Sequence, residues 1–539
     1  MQKFFFPRPW MAAAFLAGSL SITLGGANAQ PNTGEPQRVS TGQIITPLAP
    51  IGARFQALNP NLADNPSYTA GQAVTTAVSP DGKTLLILTS GYNLVAFTSG
   101  ANAGNENTAD SNEYVFVFDI SSGNPVQKQA LQVPNTYSGL AFNPNGLEFY
   151  VAGGADDDVH IYGLSGGVWA EIAGSPVPLG HYAAANPALG NAGGLGLITQ
   201  PMASGLAVSQ NGQTIVVANY ENDSISILSL TSSGWVKSGE FDLRPGVISP
   251  ATGTGVSGGT FPYWVSIVGN STAYISSIRD REIDVVNISG TPSLITRVTV
   301  SGNPNRSVLS RDQKTLYVAE DNSDSVAVIN TATNQLIGEI KAGAPVESPF
   351  FGAGHKRFNG ANPNSLALSP DGRTLYVTDG GLNAVAVVAL DREVEESRVA
   401  GLIPTGFYPN SVSVSADGKR LYVVNGKSAN GPNPQFCYSG VPVGNGTIPN
   451  CPASNQYDWQ LTKGGFQTMP TPSLGELSAL TQRVLQNDHF DRSLTWEEKN
   501  KMEELHKRIQ HVIYIIKENR TYDQILGDLA VGNGDPDLT

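Results

Sequence analysis

The segment SPDGRTLYVTDGGLNAVAVVAL, residues 369–390, contains the two-strand unit from which most of this chain is built. It opens with Ser369-Pro370-Asp371-Gly372, a tight turn in which Asp bonds its own backbone and Gly accepts a positive φ. An alternating strand at 375–377, a polar turn at 379–383 and a second strand at 384–388 follow. A lone hairpin is only marginally stable in water. The unit therefore predicts further copies of itself.

Seven copies of the unit can be recognised, at uneven spacing. Their turns are Ser79–Gly82, Asn143–Gly146, Ser209–Gly212, the degenerate Gly269-Asn270, Ser310–Gln313, Ser369–Gly372 and Ser415–Gly418. A fixed motif with variable connections is typical of propeller blades, which tolerate insertions on one face. The sequence therefore predicts an all-β fold, a β-propeller of seven blades, with six or eight as alternatives.

The complete form of the repeat, Leu316–Gly343, adds strands until each blade has four, the fourth being Gln335–Ile340. The last copy is incomplete, with its third strand predicted at 460–468. Thr41-Gly42-Gln43-Ile44-Ile45 resembles Thr333-Asn334-Gln335-Leu336-Ile337, the beginning of that fourth strand. We therefore expect residues 41–45 to complete the last blade and close the ring, which removes two open sheet edges.

The repeat resembles the family named for its Tyr-Val-Thr-Asn core. The segment LYVAEDNSDSVAVINTATNQLIGEI (Leu316–Ile340) and Tyr376-Val377-Thr378-Asp379 carry this resemblance. It covers about residues 40–470 and implies a propeller domain within 30–470. It leaves the ligand open, because propellers serve binding, scaffolding and catalysis.

Composition excludes one class of partner. Charged residues make up 14% of the chain, with 59 Gly and 35 Pro, and the formal net charge is −13. Lys and Arg do not cluster outside the extreme termini. Nucleic acid is therefore not an expected partner.

The first 29 residues are typical of a cleavable signal peptide. Lys3 and Arg8 precede an apolar run at 10–24, and Ala27-Asn28-Ala29 forms a small-x-small site before Gln30. We therefore expect cleavage between Ala29 and Gln30, no transmembrane span afterwards, and a periplasmic or secreted protein.

Cys437 and Cys451 are the two cysteines of the chain. They lie in a loop at 428–458 that is rich in Gly, Pro and Asn. In an exported chain such a pair favours a local disulfide, which stabilises by about 3 kcal/mol in loop-entropy estimates.

After Pro472 the pattern changes to helices, which form a predicted linker at 471–508. Leu474, Leu477, Leu480, Val484 and Leu485 fall at helical spacing. Thr495-Trp496-Glu497-Glu498 is a capping box for a second helix. The apolar run at 511–517 then predicts a buried strand of a parallel sheet, the start of an α/β domain.

The motif Lys517-Glu518-Asn519-Arg520-Thr521-Tyr522-Asp523-Gln524 follows that predicted strand. With GNGDPDL (532–538), residues 509–539 resemble the opening of the phosphoesterase family of the alkaline-phosphatase superfamily, which includes bacterial phospholipase C and acid phosphatase types. The resemblance implies hydrolysis of phosphate esters with a divalent metal, and gives Glu518 and Asn519 the role of metal ligands. The family's nucleophile and other ligands have no counterpart here, so we assign no catalytic residue and expect a fragment or remnant of an enzyme.

Two further functions stay open for the propeller. It could hold an unknown ligand or protein on one face without catalysis. It could also be a lactonase-like enzyme, with Asn219, Glu221, Asp379 and Asn425 near a metal at one rim of the channel. Asn and Asp at these positions are also what the turns themselves require.

Overall fold

The computed structural model describes residues 36–39, 41–91, 93, 95, 97, 102, 107–181, 202–245, 258–345, 360–427, 442–443, 446–447, 462–490, 495–515 and 522–531. The signal segment, Cys437, Cys451, Glu518 and Asn519 lie outside these residues. The predictions made for them therefore stay predictions. The chain divides into two units, residues 1–490 and 491–539.

The first unit begins with three short strands. They are β1 (Gln37–Arg38), β2 (Ile44–Ile45) and β3 (Arg54–Ala57). Strands β1 and β2 pair with each other. Strand β3 belongs to the last blade, described below.

The next strands form the first three blades, each an antiparallel sheet built in chain order. Blade 1 contains β4 (Ala73–Val78), β5 (Thr84–Thr89), β6 (Glu113–Asp119) and β7 (Val126–Val133). Blade 2 contains β8 (Leu140–Phe142), β9 (Glu148–Ala152), β10 (Asp158–Ser165), β11 (Val168–Glu171) and the short β12 (Val177–Pro178). Blade 3 contains β13 (Ala203–Val208), β14 (Thr214–Asn219), β15 (Ser224–Thr231) and β16 (Gly234–Asp242).

Three further blades repeat the same order. Blade 4 contains β17 (Pro262–Val268), β18 (Thr272–Ser277), β19 (Glu282–Asn287) and β20 (Ser293–Thr299). Blade 5 contains β21 (Pro304–Leu309), β22 (Thr315–Glu320), β23 (Ser325–Asn330) and β24 (Gln335–Lys341). Blade 6 contains β25 (Pro363–Leu368), β26 (Thr374–Asp379), β27 (Ala384–Ala389) and β28 (Arg398–Pro404).

Blade 7 combines strands from both ends of the ring. It contains β29 (Pro409–Val414), β30 (Arg420–Asn425), β33 (Gly465–Pro470) and β3. Two short paired strands, β31 (Pro442–Val443) and β32 (Gly446–Thr447), lie in the chain between β30 and β33. The innermost strands of successive blades contact each other around the ring, including β29 with β4. The prediction of a seven-bladed β-propeller is confirmed.

The predicted turns form as their residues dictate. The hydroxyl of Ser369 donates to Asp371 Oδ1 at 2.6 Å and accepts from the amide of Thr374 at 2.9 Å. Gly372 has a φ of 71°, and its amide donates to the carbonyl of Ser369 at 2.9 Å. The turns at Ser79, Ser209, Ser310 and Ser415 repeat both hydroxyl bonds. The polar residues of the motif therefore specify the hairpin.

The ring is closed by an N-terminal strand, as predicted, but the predicted segment was wrong. Strand β3, and not residues 41–45, pairs with β33, with Arg54 opposite Thr468 and Ala57 opposite Gly465. Ile44 and Ile45 pair instead with Arg38 and Gln37. Sequence similarity to a fourth strand indicates that a segment can form a strand, but it does not say which strand it pairs with. The pairing and its register depend on the partner strand that the segment meets in the folded chain.

Helix α1 (Leu474–Asn487) packs on the outer strand of blade 6. The amide of Leu402 in β28 donates to the hydroxyl of Thr481 at 2.9 Å. Gly401 makes this approach possible, because a Cβ there would lie 2.5 Å from Cγ of Leu477. The helix thus covers an edge that would otherwise be open.

The second unit contains α2 (Trp496–Arg508) and α3 (Asp523–Leu526). The predicted capping box of α2 is confirmed, since the amide of Glu498 donates to the Thr495 hydroxyl and the Thr495 amide to the Glu498 carboxylate. The strand predicted at 511–517 is not formed over 511–515, where Val512–Ile515 are more than 80% exposed. No described strand of this unit is available to pair with its backbone, and an apolar run needs such a partner to form a sheet. Within the described residues, no helix is both long and apolar enough to span a membrane.

Candidate ligand-binding site at the loop face

The two faces of the propeller differ in their connections. Strands alternate in direction within each blade, so all first-to-second turns lie on one face, which we call the turn face. The second-to-third and fourth-to-first connections leave the opposite face, which we call the loop face. The strands that flank the five longest connections end and begin at the loop face; these connections are 90–112, 179–202, 243–261, 342–362 and 426–464. Long loops on a rigid scaffold are where binding sites concentrate.

Three tyrosine rings from neighbouring blades meet at the loop face. Tyr137 precedes β8, Tyr220 follows β14, and Tyr263 lies in β17. The ring centroids are 5.8 Å apart for Tyr137 and Tyr220, 5.9 Å for Tyr137 and Tyr263, and 6.2 Å for Tyr220 and Tyr263. All three pairs are edge-to-face, the favoured arrangement of aromatic rings. The half-buried rings form a fixed aromatic surface, which we call the tyrosine cluster.

Two more aromatic rings extend the cluster and carry cations. Phe261 packs against Tyr220 at 5.1 Å and has the guanidinium of Arg279 at 5.7 Å from its centroid. Trp264 lies 6.4 Å from Tyr263 and has the guanidinium of Arg306 at 4.7 Å. Such cation–π contacts are worth about 0.5–2 kcal/mol each, depending on exposure. They hold positive charge beside the rings.

A third cation lies on blade 7. Lys427 Nζ is 5.7 Å from the Phe407 ring and 5.6 Å from the Tyr408 ring. Burial raises the pKa of Tyr408, and the nearby Asp321 and Tyr263 add to the rise. The tyrosine cluster therefore has aromatic and charged neighbours on the other side of the channel.

The phenols of Tyr137 and Tyr220 are neutral at physiological pH. Burial raises the pKa of Tyr137 above its usual range, and the neighbouring Tyr263 and Tyr220 raise it further, while Arg306 works against the rise. Burial likewise raises the pKa of Tyr220, together with Tyr263 and Glu221. Protonated phenols both donate and accept hydrogen bonds. The cluster thus offers apolar ring surface and hydroxyl groups together.

Arg306 and Trp264 occupy one layer of the central channel. Counted from the first residue of the inner strand, Trp264 and Arg306 stand where blades 6 and 7 have Ser365 and Ser411. The equivalent residue of blade 3 is Gly205, whose Cβ, if present, would lie 2.8 Å from Cε3 of Trp264. The missing side chain leaves space for the indole.

Departure from the repeat is the signal that sequence reasoning missed. The inner strands of blades 6 and 7 begin Pro363-Asn364-Ser365 and Pro409-Asn410-Ser411. Blades 4 and 5 begin Pro262-Tyr263-Trp264 and Pro304-Asn305-Arg306. The substituted positions are those that form the site.

Three of the four residues predicted near a lactonase-like metal, Asn219, Asp379 and Asn425, are fully buried. Asn219 donates to the hydroxyls of Ser224 and Ser226 at 2.8 and 3.0 Å, inside blade 3. Asn425 is fully buried and Glu221 is exposed. Asp379 is fully buried with neither oxygen hydrogen-bonded, and burial, with the charge of Asp324, raises its pKa well above its ordinary value. No group of three or more His, Cys, Asp or Glu suited to a metal occurs among the described residues.

The side chain of His181 is buried between two carboxylates. His181 Nδ1 lies 2.5 Å from Asp157 Oδ1, and its Nε2 lies 3.0 Å from Glu240 Oε1. Burial lowers the pKa of His181, but hydrogen bonds and charges from both carboxylates outweigh it and raise the pKa. The imidazole ring of His181 thus joins the β9–β10 turn of blade 2 to β16 of blade 3. Both ring nitrogens are engaged, which is typical of a structural role.

Comparison with known proteins adds the following. No protein-family model matches the chain, and no curated protein matches it. Among solved structures, the Kuenenia stuttgartiensis hydrazine synthase is 18% identical with a TM-score of 0.46, over 66% of this chain and 93% of that one. A putative 6-phosphogluconolactonase from Bacteroides fragilis is 18% identical with a TM-score of 0.44, over 64% and 89%.

Virginiamycin B lyase from Staphylococcus aureus is 14% identical with a TM-score of 0.43, over 77% of this chain and 99% of that one. At such low sequence identity and TM-score, the activities of these proteins do not transfer to this chain.

Proposed function

We propose that this protein is a binding propeller that takes an organic ligand with a flat ring at the centre of its loop face. The observation that carries the proposal is the tyrosine cluster, three half-buried rings from three blades in mutual contact. Ligand sites combine apolar and aromatic walls with a few fixed polar groups. The phenols and the cations beside the rings supply those groups.

Rigid aromatic side chains suit binding because little rotamer entropy is lost when a ligand stacks on them. Each ring of the cluster is supported by its neighbours, so the surface is present before the ligand arrives. Ring faces accept sugars and aromatic compounds alike, and the phenol hydroxyls can bond the substituents. We therefore expect a ligand with one flat face and polar groups at its edge.

The test is a titration monitored by ligand-observed NMR, using glucose, glucuronate, phenol and benzoate as probes. Binding of at least one probe, weakened about threefold or more by Tyr220→Ala or Tyr263→Ala, supports the proposal. Tyr514→Ala is the matched control, since Tyr514 is 85% exposed in the second unit. Absence of binding by all four probes, or binding that the two substitutions leave unchanged, overturns it.

The sequence supports a second proposal, for the second unit. We infer from the motif at 517–524 that Glu518 and Asn519 bind a divalent cation as part of a phosphoesterase domain, in a protein exported by cleavage after Ala29. Metal analysis of the purified chain and of Glu518→Gln tests the first part. Equal metal content in both proteins overturns it. Mass spectrometry of the exported chain tests the cleavage, and an intact N-terminus overturns that part.

A further inference from the structure

The central channel contains a cavity of about 240 Å³ on the described inner strands. Its lining includes Thr75 and Thr76 of blade 1, Trp264 of blade 4, Arg306 of blade 5, Ser365 of blade 6 and Ser411 of blade 7. A cavity of about 10–15 Å³ already holds one water molecule. The cavity therefore has room for a small solute.

Arg306 is the one charged side chain in this lining. It is 5% exposed, and buried charges are normally paired with an opposite charge. Within the described part of the chain, Arg306 forms no ion pair. Its one hydrogen bond to a described residue is from Nη2 to the hydroxyl of Thr75, 2.7 Å away across the channel. A guanidinium has five N–H donors, so most of its donor capacity is available to a ligand.

Carboxylates of the protein do not compensate this charge from within the cavity. None of the lining residues is acidic. Glu221 and Asp321 act on the loop-face phenols Tyr137 and Tyr408, respectively. Neither is within ion-pair distance of Arg306. The channel layer therefore has a net positive charge in a site of low exposure.

A second observation points to a ligand in the same cavity. Thr76 is 7% exposed, and its Oγ1 is buried without a hydrogen-bond partner. A buried hydroxyl in this state costs about 1–3 kcal/mol unless something bonds to it. Ser365 and Ser411 add hydroxyls to the same lining, with their Oγ atoms 3.5 Å apart. These hydroxyls line the same cavity as the Arg306 guanidinium, and this combination suits an oxyanion, which accepts several hydrogen bonds at once.

We propose that the channel is a binding site for a small oxyanion, a carboxylate or a phosphate, held by the Arg306 guanidinium and the Thr76 hydroxyl. The site shares Trp264 and Arg306 with the surroundings of the tyrosine cluster, but it does not depend on a ligand stacking on the tyrosine rings. The anion could be a free ion, or the acidic group of a ligand that enters from the loop face past Trp264.

The test is a thermal-shift titration of the full chain with sodium phosphate and, separately, sodium acetate, at ionic strength matched with sodium chloride. A ligand that binds only the folded state raises the melting temperature with concentration. We expect one of the two salts to do so and chloride not to. A response to phosphate alone assigns a phosphate site, and a response to acetate alone assigns a carboxylate site.

Two variants test whether the rise in melting temperature comes from binding in the channel. Arg306→Met should weaken binding by on the order of tenfold to hundredfold, as loss of charge-assisted hydrogen bonds requires. Arg373→Met is the matched control, because Arg373 is exposed at the turn face and its loss changes the net charge equally. The control should retain wild-type affinity.

Thr76→Val provides a readout that does not depend on replacing the arginine. It should leave the stability without anion unchanged or higher, because the hydroxyl has no partner to lose, and still weaken anion binding several-fold. The proposal is overturned if neither salt differs from chloride. It is also overturned if the response survives both Arg306→Met and Thr76→Val. If Arg306→Met does not fold, the Thr76→Val result alone decides in the same way.

Discussion

Replacing Glu113 by Gln should stabilise the protein at neutral pH, by an amount that grows as the pH rises. Glu113 is 5% exposed at the start of β6, where its Oε2 accepts hydrogen bonds from Asn93 Nδ2 at 2.7 Å and Thr89 Oγ1 at 3.3 Å. Burial raises the pKa of this carboxyl from 4.5 to about 8, although the two hydrogen bonds work against the rise. The folded protein therefore holds a proton that the unfolded chain releases.

The sign and size of the effect follow from linkage. A carboxyl whose pKa is higher in the folded state contributes stability that is fully present below pH 4.5 and is lost as the pH rises towards 8. The loss is about 1.4 kcal/mol for each pH unit. At pH 7, about 2.5 units above the unfolded pKa, the loss amounts to at most about 3–4 kcal/mol. Gln has no proton to release, keeps an acceptor for Asn93 and escapes this loss.

The assay is urea unfolding at pH 5, 6, 7 and 8, followed by circular dichroism and by tryptophan fluorescence. The gain from Glu113→Gln should be small at pH 5 and should reach about 2–3 kcal/mol at pH 7. Glu395→Gln serves as control, because Glu395 is exposed and its replacement should give no pH-dependent gain. A difference between Glu113→Gln and wild type that stays constant from pH 5 to pH 8 would refute the reasoning.

Three further predictions test the fold. Thr481→Val removes the acceptor of the Leu402 amide and should lower the free energy of unfolding, measured by urea titration, by about 1–3 kcal/mol. A change below about 0.5 kcal/mol would contradict the contact between α1 and blade 6. Asp379→Asn should raise the melting temperature at pH 7 more than at pH 4, because a carboxyl whose pKa is raised by burial costs stability only above its unfolded pKa. Equal shifts at both pH values would contradict the raised pKa. Deletion of residues 1–58, which include β3, should abolish the cooperative melting transition, whereas deletion of residues 1–46 should only lower the melting temperature. If both deletions change the melting transition equally, β3 is not the closing strand.

The local parts of this fold follow from the sequence because each is decided by neighbouring residues. The Ser-x-Asp-Gly turn is held by bonds within six residues, as at Ser369, Asp371 and Thr374. The capping box at Thr495 and Glu498 is equally local. The number of copies of this unit then sets the number of blades. Because each blade needs four strands and the last copy is incomplete, an N-terminal segment must supply the missing strand.

Which segment pairs with which strand was not decided by such local rules. Residues 41–45 and 54–57 are both short and able to form strands, and only the second pairs with β33. The apolar run at 511–515 has the composition of a buried strand, yet it is exposed and unpaired. A strand is defined by its partner, and a partner distant in the chain leaves no mark on the segment itself.

The sequence by itself determined the repeating hairpin, and through it the propeller; the tertiary structure decided where a ligand could bind. Tyr137, Tyr220 and Tyr263 come from three blades and touch only because the ring brings the loop-face ends of those blades together. Arg306 reaches Thr75 across the channel, 231 residues away in the chain. Turns and caps depend on short-range hydrogen bonds that a few consecutive residues specify. A site at the axis depends on contacts through space, which exist only after all seven blades have closed.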